Sequence, residues 1–211
     1  MPEKPVFTRR THRLLLLAVV VAAVGLTGTV RVYRVAGISD APMVLHGDLI
    51  LVNHAAYGLP VPFTQRHLFR WSTPQLGEYV FFRAPDRAVF LCKCVLGLPG
   101  DQVEVRGGRV WRNGQPLHYE DRPMEDFRWI SRQHRLGEDI VRESESDWDH
   151  EVNLLDPQIG YETFGPISVP AEHVFLLGSN RPHSRDSRHF GPVPLTVIAG
   201  RVLVNLSALR R

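Results

Sequence analysis

The sequence predicts a mostly β fold of short antiparallel strands, preceded by one amino-terminal transmembrane helix. Short segments rich in β-branched and aromatic residues alternate with Gly, Pro and Asn turn signals, which is the pattern of an all-β domain. Helical periodicity is weak after residue 30, whereas the segment before it contains a long apolar run without charges. A chain of 211 residues can bury a sizeable core, and its dispersed net charge of +3 excludes an obvious nucleic-acid face.

The first 30 residues have the composition of a membrane anchor. Residues 1–13 contain one lysine and three arginines against a single glutamate, and residues 14–30 contain no charge. As a helix this run reaches about 25 Å, enough for a thin bilayer. A cleaved secretory signal is the alternative, but the run is longer than a usual signal core and no A-x-A site follows it. We therefore expect a cytoplasmic basic segment (1–13), a single-pass anchor (14–30) and an extracytoplasmic domain (31–211).

Seven segments of the extracytoplasmic part are predicted to be strands because they are short and rich in β-forming residues. They are Asp48–Asn53, Glu78–Arg83, Ala88–Leu96, Gln102–Arg106, Arg109–Arg112, His173–Leu177 and Ala199–Asn205. Gly107-Gly108 predicts a two-residue hairpin, and Asn113-Gly114 predicts another turn. Cys92 and Cys94 are too close for an unstrained bridge, so both are expected to be free.

The segment His118–Glu162 differs from the rest of the domain. It holds 13 of the 22 acidic residues and few aliphatic ones. This composition is typical of a polar insertion or small cap. A solvated excursion is the favoured interpretation, and a role in contacting substrate is the alternative.

Lys93 is the first candidate for chemistry because it lies inside an apolar strand. A buried lysine is unfavourable unless something requires it, and a buried lysine can act as a base for a serine nucleophile. The alternatives are a structural lysine or one that protects an edge strand. Lys93 is followed by Gly97-Leu-Pro-Gly-Asp101. This segment resembles the lysine box of bacterial type I signal peptidases, in which the lysine precedes a GLPGD turn at this spacing.

A second segment, Gly178–Arg188 (GSNRPHSRDSR), resembles the GDNRxxSxDSR signature of the same family, with Ser179 where aspartate is usual. In that family the serine and aspartate of this box support the lysine and shape the site. The resemblance assigns these roles to Ser184 and Asp186, with Arg188 pairing with a carboxylate.

The nucleophile box is matched least closely. The family has S-M-x-P-T followed by Gly-Asp and a strand. Here Ser39 and Pro42 keep their spacing, but Asp40 and Met43 replace the methionine and the threonine. Ser39 is the predicted nucleophile. Asp40 adds a charge that could hold Lys93 protonated and lower the activity near neutral pH, or it could face solvent.

The resemblance implies a membrane-bound serine endopeptidase that removes signal peptides from exported preproteins, with Ser39 as nucleophile and Lys93 as general base. The backbone N–H of Ser39 would hold the oxyanion. Some members add a hydroxyl two residues earlier, where this chain has Gly37, so a backbone or water donor must serve. Small pockets for the −1 and −3 residues of the signal peptide are expected near Val35, Val44 and Leu91.

The implied setting is the bacterial inner membrane, with the catalytic domain on its outer side. The expected partners are signal peptides and the lipid bilayer, and a monomer that binds no nucleic acid is expected. No cofactor is implied, and ten histidines without ligand spacing predict no metal site. Two alternatives remain: a narrow-specificity serine–lysine maturation protease of the conjugal-transfer type, and a catalytically impaired paralogue that only binds signal peptides.

Overall fold

The computed structural model describes residues 29–61, 64, 67–127, 130, 139–154 and 163–210. The predicted basic segment and the predicted anchor up to residue 28 lie outside these residues. Val30, the last residue assigned to the anchor, begins the first strand. No helix within the described ranges combines the length and apolarity needed to cross a membrane.

A seven-stranded antiparallel sheet forms the centre of the fold. Its strands, in spatial order, are β1 (Val30–Arg34), β2 (Leu49–Asn53), β16 (Ile198–Asn205), β5 (Tyr79–Arg83), β6 (Phe90–Gly97), β14 (His173–Leu177) and β15 (Val193–Pro194). Strand β6 lies between β5 and β14, so the lysine that it carries is enclosed by backbone on both sides. The prediction of a mostly β fold is confirmed.

A four-stranded sheet packs beside it in the order β13 (Phe164–Ser168), β7 (Gln102–Arg106), β8 (Arg109–Arg112) and β9 (Gln115–Pro116). Gly107 and Gly108 have φ values of +57° and +77°, so they make the tight turn that pairs Arg106 with Arg109. Both glycines are needed because this turn places two consecutive residues in the left-handed region. The predicted hairpin is confirmed.

The polar insertion contributes a three-stranded sheet of β10 (His118–Asp121), β11 (Asp139–Glu145) and β12 (Trp148–Leu154). Val141, Val152 and Leu154 form a small core of its own, and Glu143 and His150 are also buried. The described part of the insertion is therefore a folded cap, not the solvated excursion that its composition favoured.

The remaining elements are small. Strands β3 (Gly58–Pro60) and β4 (His67–Arg70) form a separate hairpin, and α1 (Ser187–Phe190) is a single helical turn. Short 3-10 turns occur at Met124–Phe127, Arg181–His183, Leu195–Val197 and Ala208–Arg210. Leu91 and Val95, two positions either side of Lys93, pack against a core that includes Phe82, Leu176 and Ile198.

Candidate active site

Ser39 lies in the loop between β1 and β2, and hydrogen bonds close this loop at its base. The N–H of Val35 donates to the carbonyl of Asp48 over 2.8 Å, and the N–H of Gly47 donates to the carbonyl of Val35 over 2.8 Å. The carboxylate of Asp48 also accepts the N–H of Leu45 over 2.8 Å. The loop is therefore held as a closed turn that carries Ser39 to strand β6.

Lys93 meets Ser39 inside the protein. The lysine side chain is completely buried, and its Nζ lies 2.5 Å from Ser39 Oγ. The same nitrogen donates to Asp40 Oδ2 over 2.7 Å and to the Cys92 carbonyl over 2.8 Å. The buried amino group therefore has three hydrogen-bonding partners, which compensates for its removal from water.

Asp40, which stands where the family motif has methionine, also contacts Ser39 and Lys93. Its side chain is almost fully buried, and its Oδ2 also accepts the hydroxyl of Ser39 over 2.8 Å. Burial raises the pKa of the Asp40 carboxyl above its ordinary value, although Lys93 and the hydrogen bonds act in the opposite direction. Asp40 therefore faces Ser39 and Lys93 and not the solvent, and one of its carboxylate oxygens contacts both residues.

The charged segment that follows β14, residues 178–188, lies beside this group. Asp186 is fully buried and accepts Nε and Nη2 of Arg188 over 2.8 and 2.9 Å, together with the N–H of Gly178 over 3.1 Å. Burial alone would raise the pKa of Asp186, but Arg188 and the other donors hold it below its ordinary value. Asp186 also caps α1. The pair is a fixed structural ion pair next to the site.

Two residues of the same segment contact the backbone of Ser39 and Ile38 directly. The N–H of Asn180 donates to the carbonyl of Ser39, and its side-chain amide donates to the carbonyl of Ile38, both over 3.0 Å. A Cβ on Gly178 would lie 2.4 Å from the Ser39 carbonyl and 2.1 Å from Ser184 Oγ. Sequence reasoning gave neither residue a role, although both lie within the quoted GSNRPHSRDSR segment.

The cap is connected through Asn180 to the loop that carries Ser39. Asn153 on β12 donates its side-chain amide to Asn180 Oδ1 over 2.8 Å, and its backbone N–H bonds to the carbonyl of Ser179. Beside this contact, fully buried Glu143 accepts Arg181 over 2.6 Å and bonds to His150 over 2.8 Å. Burial opposes ionisation of Glu143, but Arg181 and His150 outweigh it and lower its pKa to about 2.

A cavity of about 370 Å³ opens in front of Ser39. Its walls are mainly apolar, and Phe81 and Phe90 are stacked there with ring centres 4.9 Å apart. Of the residues predicted to contact substrate, Val35 and Leu91 line this cavity, as does Gly37. Val44 does not line it, because it is buried in the cluster of Ile50, Val52, Phe81 and Ala199.

Ser39, Gly37, Val35 and Leu91 line one cavity, and the buried Lys93 contacts Ser39 from inside the protein. The hydroxyl of Ser184 is buried close to Gly178, and its interaction with Asp186 helps to hold the pKa of that carboxyl below its ordinary value. Among the described residues no hydrogen bond joins Ser184 to Lys93. Within the described ranges no group of three or more His, Cys, Asp and Glu side chains is placed to hold a metal ion. Cys92 and Cys94 are free and buried.

Comparison with known proteins gives one consistent family. Residues 8–206 match the family described as signal peptidase, peptidase S26. The chain is 32% identical over 155 residues to the signal peptidase I of Pseudomonas fluorescens, covering 72% of this chain and 52% of the relative. It is 28% identical to the signal peptidase I V of Bacillus subtilis over 168 residues, covering 80% of each.

The chain spans about half the length of the Pseudomonas relatives that it matches. Among solved structures, a signal peptidase I from Enterococcus faecalis V583 is 29% identical, with a TM-score of 0.39. That match covers 63% of this chain and 98% of the other.

Proposed function

This chain belongs to the signal peptidase family, peptidase S26, and on that premise we propose that it is a serine endopeptidase that removes signal peptides from exported preproteins. Ser39 is the nucleophile and Lys93 is its general base. The observation that carries the proposal is the 2.5 Å contact between Ser39 Oγ and the buried Nζ of Lys93. This contact stands at the head of an apolar cavity, where a peptide could be bound.

The reaction is acyl transfer. Ser39 Oγ attacks the scissile carbonyl as its proton passes to the basic group, and the same proton later goes to the leaving amine. In the proposed reaction the backbone N–H of Ser39 bonds the oxyanion, with a second backbone or water donor because Gly37 offers no hydroxyl. The bonds from Asn180 to the carbonyls of Ser39 and Ile38 support this role, since they fix the peptide planes that flank Ser39. Water then hydrolyses the acyl-enzyme.

Substrates with small residues at −1 and −3 fit the proposed cavity. Val35 and Leu91 narrow it beside Ser39, and the stacked rings of Phe81 and Phe90 limit its depth. Val44 contributes only through the packing of the cavity wall, because it is buried behind Ile50 and Phe81. Apolar, confined walls favour short apolar side chains over charged or bulky ones.

We further propose that the protein is a single-pass protein of the bacterial inner membrane, with residues 1–13 in the cytoplasm and the catalytic domain outside. Ser39 follows Val30 by nine residues, so the site can be only about 30 Å from the end of the proposed anchor. Val89 and Phe90 are apolar, exposed and part of the cavity lining, and Val30 and Val32 on β1 are also exposed. Val89 and Phe90 are suited to contact lipid beside the cavity.

The direct test is cleavage of purified preproteins with alanine at −1 and −3 by the full chain in detergent. Wild type, Ser39→Ala and Lys93→Met are compared, with Ser72→Ala as a control for an exposed serine outside the site. Wild type and Ser72→Ala are expected to cut after the −1 residue, and the two site variants to be inactive.

Cleavage of only one precursor among several would favour a maturation protease. Binding without cleavage would favour an impaired paralogue. Unchanged cleavage by Ser39→Ala or Lys93→Met would mean that the nucleophile or base lies elsewhere.

A further inference from the structure

We propose that the β3–β4 hairpin is a lipid-binding element, which inserts its apolar side chains into the interface of the membrane beside the anchor. This inference rests on the proposed membrane placement and goes beyond it, because it assigns a second attachment to a different part of the chain. The hairpin comprises Gly58–Pro60 and His67–Arg70, and it forms a two-stranded sheet of its own.

The exposed side chains of the hairpin are large and apolar. Leu68 is 71% exposed, Phe69 is 54% exposed, and Trp71, which directly follows β4, is 55% exposed. The rings of Phe69 and Trp71 meet edge to face with their centres 5.6 Å apart, whereas Leu68 lies on the opposite face of the strand. A two-stranded hairpin with apolar side chains exposed on both faces is poorly suited to water. A tryptophan among them is typical of the membrane interface.

The base of the hairpin is fixed to the domain. The carbonyl of Tyr57 accepts the N–H of Trp71 over 3.2 Å, and the hydroxyl of the same buried tyrosine donates to Glu78 over 2.7 Å. The guanidinium of Arg70 donates to the carbonyl of Leu195. The domain therefore presents the apolar side chains on a fixed support.

Hydrogen bonds at His54 place the hairpin next to the end of the proposed anchor. The N–H of His54 donates to the carbonyl of Thr29 over 2.6 Å, and the carbonyl of His54 accepts Nε2 of His67 over 2.9 Å. Thr29 belongs to the uncharged run 14–30, and His67 begins β4. One residue thus connects the two, so the hairpin lies at the end of the sheet where the proposed anchor enters the bilayer.

The charge of this part of the chain also suits a lipid surface. Between Asp48 and Glu78 the sequence contains two arginines and no acidic residue, so no carboxylate there is repelled by lipid phosphates. The bilayer is the favoured occupant of the apolar faces because the anchor already holds the hairpin against it, which makes lipid contact by the hairpin a linked second binding event. Two attachments hold the domain in one orientation over the membrane, whereas an anchor alone leaves it free to tilt.

Quenching of Trp71 by brominated lipid tests this contact directly. The full chain is reconstituted into vesicles of phosphatidylethanolamine and phosphatidylglycerol, with acyl chains that are either unmodified or brominated near the headgroup. The wild type should lose a larger fraction of its tryptophan emission in brominated vesicles than Trp71→Phe does. Trp111→Phe is the matched control, because Trp111 lies on β8 against the guanidinium of Arg106, and its removal should not reduce the quenched fraction.

Leu68→Ser provides a second measurement that leaves Trp71 in place. It should weaken the quenching of Trp71, because the hairpin loses an apolar side chain that enters the interface. Leu209→Ser is its control and should leave the quenching unchanged. Leu209 is also highly exposed, but it follows a segment that bonds to the carbonyl of Leu49, at the opposite end of β2 from His54.

Equal quenched fractions in wild type and Trp71→Phe would overturn the proposal. A shift of Trp71 emission on addition of a preprotein, without quenching by brominated lipid, would also overturn it and would assign the face to the substrate. Flotation of the same vesicles separates the anchor from the hairpin: a chain that does not float counts against both, whereas a floating chain with unquenched Trp71 counts against the hairpin alone. Preprotein cleavage does not enter these readouts, so failure of the peptidase function is a separate result.

Discussion

The side chain of Asn180 is the clearest place to test how the fold positions the nucleophile. Asn180→Ala removes the bond to the partly buried Ile38 carbonyl and the buried bond from Asn153. Loss of these two hydrogen bonds amounts to about 3 kcal/mol. For a domain of this size the Tm should fall by about 6–12 °C. The loop that carries Ser39 would also lose one of its tethers, and a shift of about 1 Å at the nucleophile lowers kcat by about 10²-fold.

Urea unfolding and kcat for preprotein cleavage are measured together, with Asn153→Ala as the matched variant. Asn153→Ala breaks the contact with the cap but keeps the bond from Asn180 to Ile38, so stability should fall while kcat changes much less. Equal kcat in Asn180→Ala and wild type, at a temperature where both are folded, would refute the positioning role.

Three further predictions concern separate parts of the molecule. Gly178→Ala places a Cβ 2.4 Å from the Ser39 carbonyl, so unfolding free energy should fall by about 3 kcal/mol and cleavage should be lost; a wild-type urea midpoint would contradict this. The pKa of Glu143 is lowered to about 2, against about 4.3 in an unfolded chain, so its stabilisation is complete above pH 4.3 and is lost as the pH falls towards 2. The Tm difference between wild type and Glu143→Gln should therefore shrink from pH 5 to pH 2, whereas parallel Tm curves would count against the buried ion pair. Leu91→Ala should broaden the residues accepted at −1, while Val44→Ala should reduce stability by about 2 kcal/mol without changing that preference, as cleavage of a −1 substitution series would show.

The strands could be predicted where local composition was strong. Gln102–Arg106, Arg109–Arg112 and His173–Leu177 have the bounds that the sequence predicted, because glycine turns or a proline mark their ends. Strand β1 was missed because Val30 ends the apolar run, and Arg31 and Arg34 have the pattern of charged residues that flank a membrane anchor. The cap strands were missed because some of their buried positions carry ionisable residues, Glu143 and His150, so hydropathy alone does not reveal these strands.

The sequence pointed to several residues that lie together in the structure, but it did not reveal most of the contacts between them. Ser39 and Lys93 come together, but they are 54 positions apart and only the sheet register shows the distance between them. Asp40 was recognised as unusual, but its inward orientation depends on the turn that returns the chain at Gly47. Asn180 carries no chemical signal of its own, since an asparagine in a polar segment is ordinarily a turn residue. Its function follows from the carbonyls that the fold places beside it.

The central claim, that Ser39 forms the acyl intermediate, is tested most directly by trapping. A preprotein is mixed with the full-length protein, the reaction is quenched in acid within the first turnover, and the digest is analysed by mass spectrometry. We expect the carboxyl end of the signal peptide to be joined as an ester to the peptide that contains Ser39, and no such adduct in Ser39→Ala. An adduct on another residue, or turnover by Ser39→Ala, would contradict the account.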